Sequence, residues 1–227
     1  MFGFTRPAGD PNNYDDQWGP AAFSRRHSVV VAPTFNLPLG VSGSAIVRAF
    51  SGLPWTPRYG GDINGDGEIN DRLYVPRADE VNSYLFVGST PDEQARKRSQ
   101  FEQTITNSEC LRENRGRTIG RNACENPWTY LLDARVSRKF TVVRDQSIEV
   151  QADFFNVLNG LNEKWGRRMQ VNDDRTAGDD RFLIPRQFDA TQRKFRYDVN
   201  PTAGKATPSV NFPLSQFQMQ LGLRYNF

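Results

Sequence analysis

The sequence predicts an all-β fold in which about five antiparallel strands form part of a transmembrane β-barrel wall with long extracellular loops. Three observations lead to this prediction. Apolar and polar residues alternate with period two in several segments. No run approaches the ~18 apolar residues of a membrane-spanning helix. Short turns also alternate with very long connections, which is typical of such a barrel and unusual in a compact soluble domain.

The last predicted strand shows the alternation most clearly. Between Gln216 and Phe227, apolar residues occupy every second position, and most residues between them are Gln, Asn or Arg. The polar side suits a wet barrel interior and the apolar side suits lipid. Tyr225 and Phe227 are predicted to lie at the membrane interface. The alternative is an edge strand of a soluble β-sandwich, whose apolar side would face a core.

Four earlier segments have the same period and are joined in pairs by two short turns. The predicted strands lie near residues 27–36, 40–51, 128–140, 146–157 and 216–227. Pro33 is expected at a bulge, because proline has no N–H for a central ladder. The long loops span residues 52–127 and 159–215, and Pro91–Ile105 in the first of them predicts a surface helix.

Charge and residue types exclude several classes of function. The net charge of +3 is spread along the chain, so no nucleic-acid partner is expected. His27 is the single histidine, so the sequence does not favour a Ser-His-Asp triad. His27 follows two arginines at a strand start, which suggests contact with lipid head groups. No catalytic residue is predicted, and the protein is not expected to be an enzyme.

The two cysteines, Cys110 and Cys124, flank a polar stretch. They predict a disulfide that closes a loop in an oxidising compartment, since a metal site would need further ligands nearby. In the chain-entropy model such a bridge stabilises the fold by about 3 kcal/mol. The alternative is a pair of unrelated cytosolic thiols.

The segment DINGDGEIND, Asp62–Asp71, resembles the first half of a calcium loop of the EF-hand or dockerin kind. Oxygen ligands alternate along it, and Gly67 supplies the sharp turn. The candidate calcium ligands are Asp62, Asn64, Asp66, Glu68, Asn70 and Asp71. Leu73 stands where a bidentate acid belongs, so Asp71 or another loop would have to supply that acid. The alternative is a polar turn held by Asp and Asn side chains.

Two other polar stretches of the loops are interpreted mainly as solvated surface. Asn172–Arg181 contains two acidic pairs, for which a second cation site is the alternative. Basic residues are frequent between Arg96 and Arg121, and contact with surface polysaccharide or an acidic ligand is the alternative there.

The closing residues QLGLRYNF resemble the C-terminal assembly signal of bacterial outer-membrane barrels. Gln220, Gly222, Tyr225 and Phe227 fit its positions, and the resemblance implies recognition by the barrel-assembly machinery. DFFNVLN, Asp153–Asn159, together with the other strand segments resembles the C-terminal part of TonB-dependent outer-membrane receptors. The most similar branch is the Oar-like one, which carries a carboxypeptidase-regulatory-like domain.

This resemblance implies parts that the sequence does not show. A member of that family would have a signal peptide, a TonB box, a plug domain and a barrel of about 22 strands. The chain is therefore interpreted as a C-terminal fragment, a truncated reading frame or one piece of a split barrel. Its expected partners are outer-membrane lipid, the assembly machinery, the rest of the barrel and plug, and indirectly the TonB system.

Two hypotheses of function follow from the resemblance. The first is TonB-dependent uptake of an unidentified ligand, with an inward polar face that lines the lumen. The residues predicted to line it are Asp133, Arg135, Glu149, Gln151 and Asp153. The second is a surface adhesion or structural protein of the outer membrane with calcium-stabilised loops. A soluble calcium-binding β-domain is the third hypothesis, and the outward apolar faces of the strands argue against it. Ca²⁺ is the only cofactor considered, and the expected location is the bacterial outer membrane.

Overall fold

The computed structural model describes residues 18–143, 145–171, 179–208 and 215–227, which form two compact units. The described parts of Arg25–Gly52, Pro127–Gln170 and Pro208–Phe227 make up the first, called the wall unit. Those of Met1–Ser24, Leu53–Asn126 and Val171–Thr207 make up the second, called the loop unit.

The described residues form sixteen strands and three α-helices. The strands are β1 (Ser28–Val31), β2 (Thr34–Leu37), β3 (Val41–Phe50), β4 (Pro54–Trp55), β5 (Arg58–Tyr59), β6 (Tyr74–Val75), β7 (Leu85–Phe86), β8 (Arg117–Thr118), β9 (Cys124–Glu125), β10 (Thr129–Val143), β11 (Gln146–Phe155), β12 (Met169–Gln170), β13 (Arg181–Asp189), β14 (Lys194–Val199), β15 (Thr207–Pro208) and β16 (Gln218–Asn226). The helices are α1 (Pro91–Asn107), α2 (Glu109–Glu113) and α3 (Val157–Leu161).

The wall unit is one antiparallel sheet in the order β1-β3-β10-β11-β16, and β2 also pairs with β3. Ala134 on β10 lies opposite Ala45 on one side and opposite Phe154 on the other, and the pairing of β10 with β11 is regular up to an irregularity between Thr141 and Val143. The sheet is open: in the described part of the chain, β1 and β2 lie at one edge and β16 at the other. Buried backbone groups at such edges need partners in a membrane, so a closed wall requires further strands.

The first predicted strand, residues 27–36, is divided into β1 and β2. The break falls at Ala32 and Pro33, as expected for a residue without an N–H. The Pro33 carbonyl still accepts a hydrogen bond from Ala45 N at 3.0 Å, so the two halves remain aligned on β3. The 3-10 turn Pro38–Gly40 then leads into β3.

The long connections are not extended loops, which corrects the prediction. They form a four-stranded sheet in the order β5-β13-β14-β7, in which β13 and β14 pair antiparallel. The pairs β5–β13 and β7–β14 are parallel. The sheet and its surroundings enclose a core of their own. Its fully buried side chains include Leu73, Val75, Phe86, Phe101, Ile105, Leu111, Ile119, Phe182 and Leu183.

Helix α1 confirms the helix predicted at Pro91–Ile105 but is not only a surface helix. The Thr90 side chain caps its start by accepting from Glu93 N at 3.2 Å, and Pro91 occupies the first turn. Phe101 and Ile105 are completely buried on one side of the helix. The helix is therefore part of the core of the loop unit. None of the helices in the described segments is long and apolar enough to cross a membrane.

Several predictions fall on residues outside the described part of the chain. They concern the N-terminal stretch 1–17, Arg144 of the second short turn, and the first of the two acidic pairs, Asp173 and Asp174. Residues 209–214 of the second long connection also lie outside it. The second pair, Asp179 and Asp180, is described and buried, and Arg58 Nε donates to Asp180 Oδ2 at 2.7 Å, so the interpretation of this pair as solvated surface is wrong.

Candidate functional site: a two-faced sheet and the loop unit

One face of the wall sheet is apolar across every strand. Directly opposed residues of an antiparallel sheet share a face. Opposed pairs include Val31 with Val47, and Val150 with Leu223. The side chains of Leu221 and Leu223 are 70% and 74% exposed. Other exposed members of this apolar face are Val29, Phe35, Tyr130, Val136, Phe140, Met219 and Tyr225. An exposed apolar patch that spans a whole sheet requires an apolar environment.

Aromatic side chains lie at both ends of this apolar face. At the end joined to the long connections, the Trp128 ring stacks on His27 at 5.9 Å and on Tyr130 at 6.0 Å. At the opposite end, Tyr225 and Phe227 stack with ring centroids 6.0 Å apart. Two aromatic belts that flank an apolar band are typical of strands that cross a bilayer. His27 packs against an aromatic ring in a position that suits an interface.

The other face of the wall sheet carries a row of cross-strand charges. Arg48 on β3 forms an ion pair with Asp133 on β10, and Arg135 on β10 forms one with Asp153 on β11. Glu149 on β11 faces Arg224 on β16 at 3.9 Å. All five residues predicted to line a lumen, Asp133, Arg135, Glu149, Gln151 and Asp153, occupy this polar face. The paired charges offset part of the cost of burying Asp153, which is only 5% exposed.

A cleft of about 440 Å³ opens on this polar face near the end of β11. Arg48, Asp133, Gln218 and Gln220 line it, together with Asn156 and two apolar residues. A second cleft of about 420 Å³, lined by Thr34, Asn36, Arg135 and several serines, lies elsewhere on the same face.

Asn156 connects the polar face to the turn after β11. It is nearly buried and has the left-handed backbone conformation, with φ of 52°. Its backbone N–H donates to Asp133 Oδ1 at 2.8 Å, and its side-chain amide donates to the Gly166 carbonyl at 2.8 Å. The Asn in the DFFNVLN segment thus fixes the direction of the chain where it leaves β11. The sequence pattern predicts no role for Asn156 or Arg48, although Asn156 lies within the DFFNVLN segment.

The predicted assembly-signal residues all lie on or directly after β16. Gln220 is opposite Asp153 on the polar face, and Tyr225 donates its hydroxyl hydrogen bond to Gln146 Oε1 at 2.7 Å. Gly222 lies opposite Gln151, and a Cβ at Gly222 would come within 2.8 Å of the Gln151 side chain. A local packing reason for Gly222 therefore exists beside the predicted signal, which stays a prediction.

The predicted calcium loop, Asp62–Asp71, is held by hydrogen bonds from its own backbone. Asp62 accepts from Gly65 N at 2.6 Å and from Gly67 N at 2.9 Å. Asn64 accepts from Asp66 N at 2.9 Å, and Asp66 accepts from Glu68 N at 2.8 Å. These are the Asx turns of the alternative interpretation. No cluster of three or more His, Cys, Asp or Glu suited to a metal occurs in the described segments, so calcium binding stays a prediction.

Two carboxylates of this loop have pKa values shifted in opposite directions. The hydrogen bonds from Gly67 and Gly65 lower the pKa of Asp62, because they favour its charged form. Burial raises the pKa of Asp71, which accepts one hydrogen bond from Ile63 N at 2.7 Å. The remaining candidates, Glu68 and Asn70, flank Ile69, which is 48% exposed.

The predicted disulfide is present between Cys110 in α2 and Cys124 in β9, with Cα atoms 5.5 Å apart. Cys124 is buried, and Leu111 beside Cys110 is completely buried. The bridge therefore joins α2 to the core of the loop unit, where we predicted only the closure of a polar loop. The alternative of two unrelated thiols is wrong.

Comparison with known proteins places the chain in a family. Residues 3–173, about three quarters of the chain, match the outer membrane beta barrel domain family. The chain belongs to this family, and its location is the bacterial outer membrane. The apolar face of the wall sheet therefore faces membrane lipid. Comparison with curated proteins gives no match. Comparison with solved structures gives none either.

Proposed function

We propose that this chain is part of the barrel of a TonB-dependent outer-membrane receptor that takes up a ligand. The wall sheet would be a section of the barrel, and its polar face would line the lumen beside a plug domain. The observation that carries the proposal is that one chain holds both a two-faced sheet and a folded, disulfide-linked unit. A simple pore has no need of such a unit, whereas a receptor requires a structured surface that captures its ligand.

The row of cross-strand charges supports this proposal. Within the wall, Arg135 is paired with Asp153, and Arg48 is paired with Asp133. The Arg135 side chain nevertheless remains about half exposed, so it is able to contact a plug or a solute. The resemblance of DFFNVLN and GLRYNF to receptor sequences agrees with it. Recognition of Gln220, Gly222, Tyr225 and Phe227 by the barrel-assembly machinery belongs to the same proposal.

The test is an immunoblot of outer membranes from source cells with an antibody against the peptide QLGLRYNF, followed by peptide mass spectrometry of the band. We expect a band several times larger than this chain, with peptides from a plug domain and a TonB box. A second expectation is that ligand uptake stops when the proton gradient across the inner membrane is dissipated. A band at the size of this chain, with no plug protein bound to it, would contradict the proposal.

A second candidate is a surface adhesion or structural protein whose loops are stabilised by calcium. Its support is the spacing of Asp62, Asn64 and Asp66, which matches the first half of a calcium loop. In this case Ca²⁺ would act as a structural clip and not as a catalytic group. Calcium-dependent clumping of cells that carry the protein, absent after deletion of its gene and unaccompanied by uptake, would favour this candidate over the receptor.

A further inference from the structure

A pocket of about 270 Å³ lies in the loop unit beside strands β7 and β14. Residues 83–85 form one side of it and residues 193–195 with Tyr197 form the other. None of these residues belongs to the calcium loop, to the disulfide or to the polar face of the wall sheet.

The wall of the pocket is aromatic. The ring of Tyr197 lies 5.9 Å from that of Tyr84 and 6.2 Å from that of Phe195, with tilts of 39° and 48°. Tyr84, Phe195 and Tyr197 all line the pocket, and aromatic rings attract the partly positive C–H groups of a ligand. Burial raises the pKa of both Tyr84 and Tyr197 to about 12, because it disfavours the charged phenolate.

The rim of the pocket is cationic. The Lys194 ammonium donates to the Ser83 carbonyl at 3.0 Å, which holds it over the pocket and leaves two of its three hydrogens for a ligand. Arg193 lies in the turn before β14 and has a left-handed backbone conformation, with φ of 53°. In the described part of the chain, no carboxylate forms an ion pair with Arg193. The lining residues include two cations and no acid.

We propose that this pocket binds a sugar residue that carries a carboxylate, such as the hexuronate of an acidic polysaccharide. A pyranose ring presents C–H groups to the aromatic wall, and its carboxylate matches Arg193 and Lys194. The volume of about 270 Å³ lies just below the usual range of ligand pockets, so the occupant is about one ring in size. The proposal deepens the proposed function, because it assumes that the loop unit faces the outside of the cell.

The test is binding of three small probes to the full chain folded in detergent micelles, measured by saturation-transfer NMR and calorimetry. Glucuronate is the expected ligand, glucose lacks the carboxylate, and benzoate keeps the carboxylate on a flat aromatic ring. We expect glucuronate to bind about tenfold more tightly than either control. Equal binding of glucose and glucuronate, preferential binding of benzoate, or no binding at all would overturn the proposal.

Two variants locate the site. Arg193→Asn removes the cation but keeps a residue that tolerates the left-handed backbone, and should weaken glucuronate binding about tenfold. Arg117→Gln removes a guanidinium that donates to the Glu113 carbonyl at 3.0 Å outside the pocket, and should leave binding unchanged. An equal loss of glucuronate affinity in both variants would mean that the ligand is attracted by positive charge in general, which would overturn the proposal. Binding without a plug-containing receptor in the immunoblot would leave this site intact and refute only the TonB-dependent function.

Discussion

At the scale of single residues, buried polar groups fix the geometry that the alternating pattern leaves open. Asn156 is the clearest example, because its backbone and side chain both donate hydrogen bonds where β11 ends. Its left-handed conformation is one that Asn tolerates better than most residues. Period-two alternation extends a strand but carries no information about how the chain leaves it.

Replacement of Asn156 separates the role of its side chain from that of its backbone. Asn156→Gly keeps the left-handed backbone and loses the bond to Gly166, so we expect a loss of about 1 kcal/mol in the free energy of unfolding. Asn156→Ala adds backbone strain and should cost about 1–2 kcal/mol more. Urea unfolding of the chain in micelles measures both. Equal values for the two variants would contradict the role assigned to the backbone.

The calcium loop gives a pH-dependent prediction. The pKa of Asp62 is lowered, so its hydrogen bonds stabilise the loop above the ordinary aspartate pKa and are lost as the pH falls through the folded pKa. The pKa of Asp71 is raised, so it takes up a proton earlier, at a higher pH than Asp62. NMR titration of the two carboxyl groups without calcium should show this order. The reverse order would show that the loop hydrogen bonds are misassigned.

At the scale of elements, the wall strands have an apolar face that contacts lipid and an opposite face that carries charged side chains. The sequence could predict these faces, because side chains alternate strictly along a strand. Leu131 on the polar face and Arg138 on the apolar face depart from the alternation. Arg138 is accommodated by stacking on the Phe140 ring at 4.7 Å.

The faces of β16 can be tested with a matched pair of substitutions. Leu221→Arg places a charge near the middle of the apolar face and should cost about 2–4 kcal/mol in a bilayer. Gln220→Arg places the same charge opposite Asp153 on the polar face and should cost little. The folded fraction in lipid vesicles, followed by the heat-dependent shift on gels, measures both. Similar losses would contradict the assignment of faces.

The disulfide also acts at the scale of elements, because it joins α2 to β9. Replacing both Cys110 and Cys124 with Ser should destabilise the loop unit by about 3 kcal/mol, because the unfolded chain gains freedom. The near-ultraviolet circular dichroism of the loop-unit aromatics should then melt at a lower temperature. The wall sheet is expected to keep its strand signal. An unchanged melting temperature of the aromatic signal would show that the hydrophobic core stabilises the loop unit without help from the disulfide.

At the scale of the whole molecule, the loop unit is what sequence reasoning missed. Its core residues Phe86, Phe101 and Phe182 come from segments far apart in the chain, and its short strands β5 and β7 have two residues each. No periodicity can appear in two residues, so the sequence pattern does not distinguish these strands from loop. The helix α1 and the disulfide could be predicted because their signals are local.

The central claim is that the alternating faces of β16 meet lipid and a wet interior. Spin labels attached to single cysteines at Met219, Gln220, Leu221 and Leu223 in vesicles test it, since Cys110 and Cys124 are already paired. Collisions with oxygen should be frequent at Met219, Leu221 and Leu223, and collisions with a water-soluble nickel reagent should be frequent at Gln220. Collision rates that do not alternate, or that alternate in the opposite phase, would contradict the account.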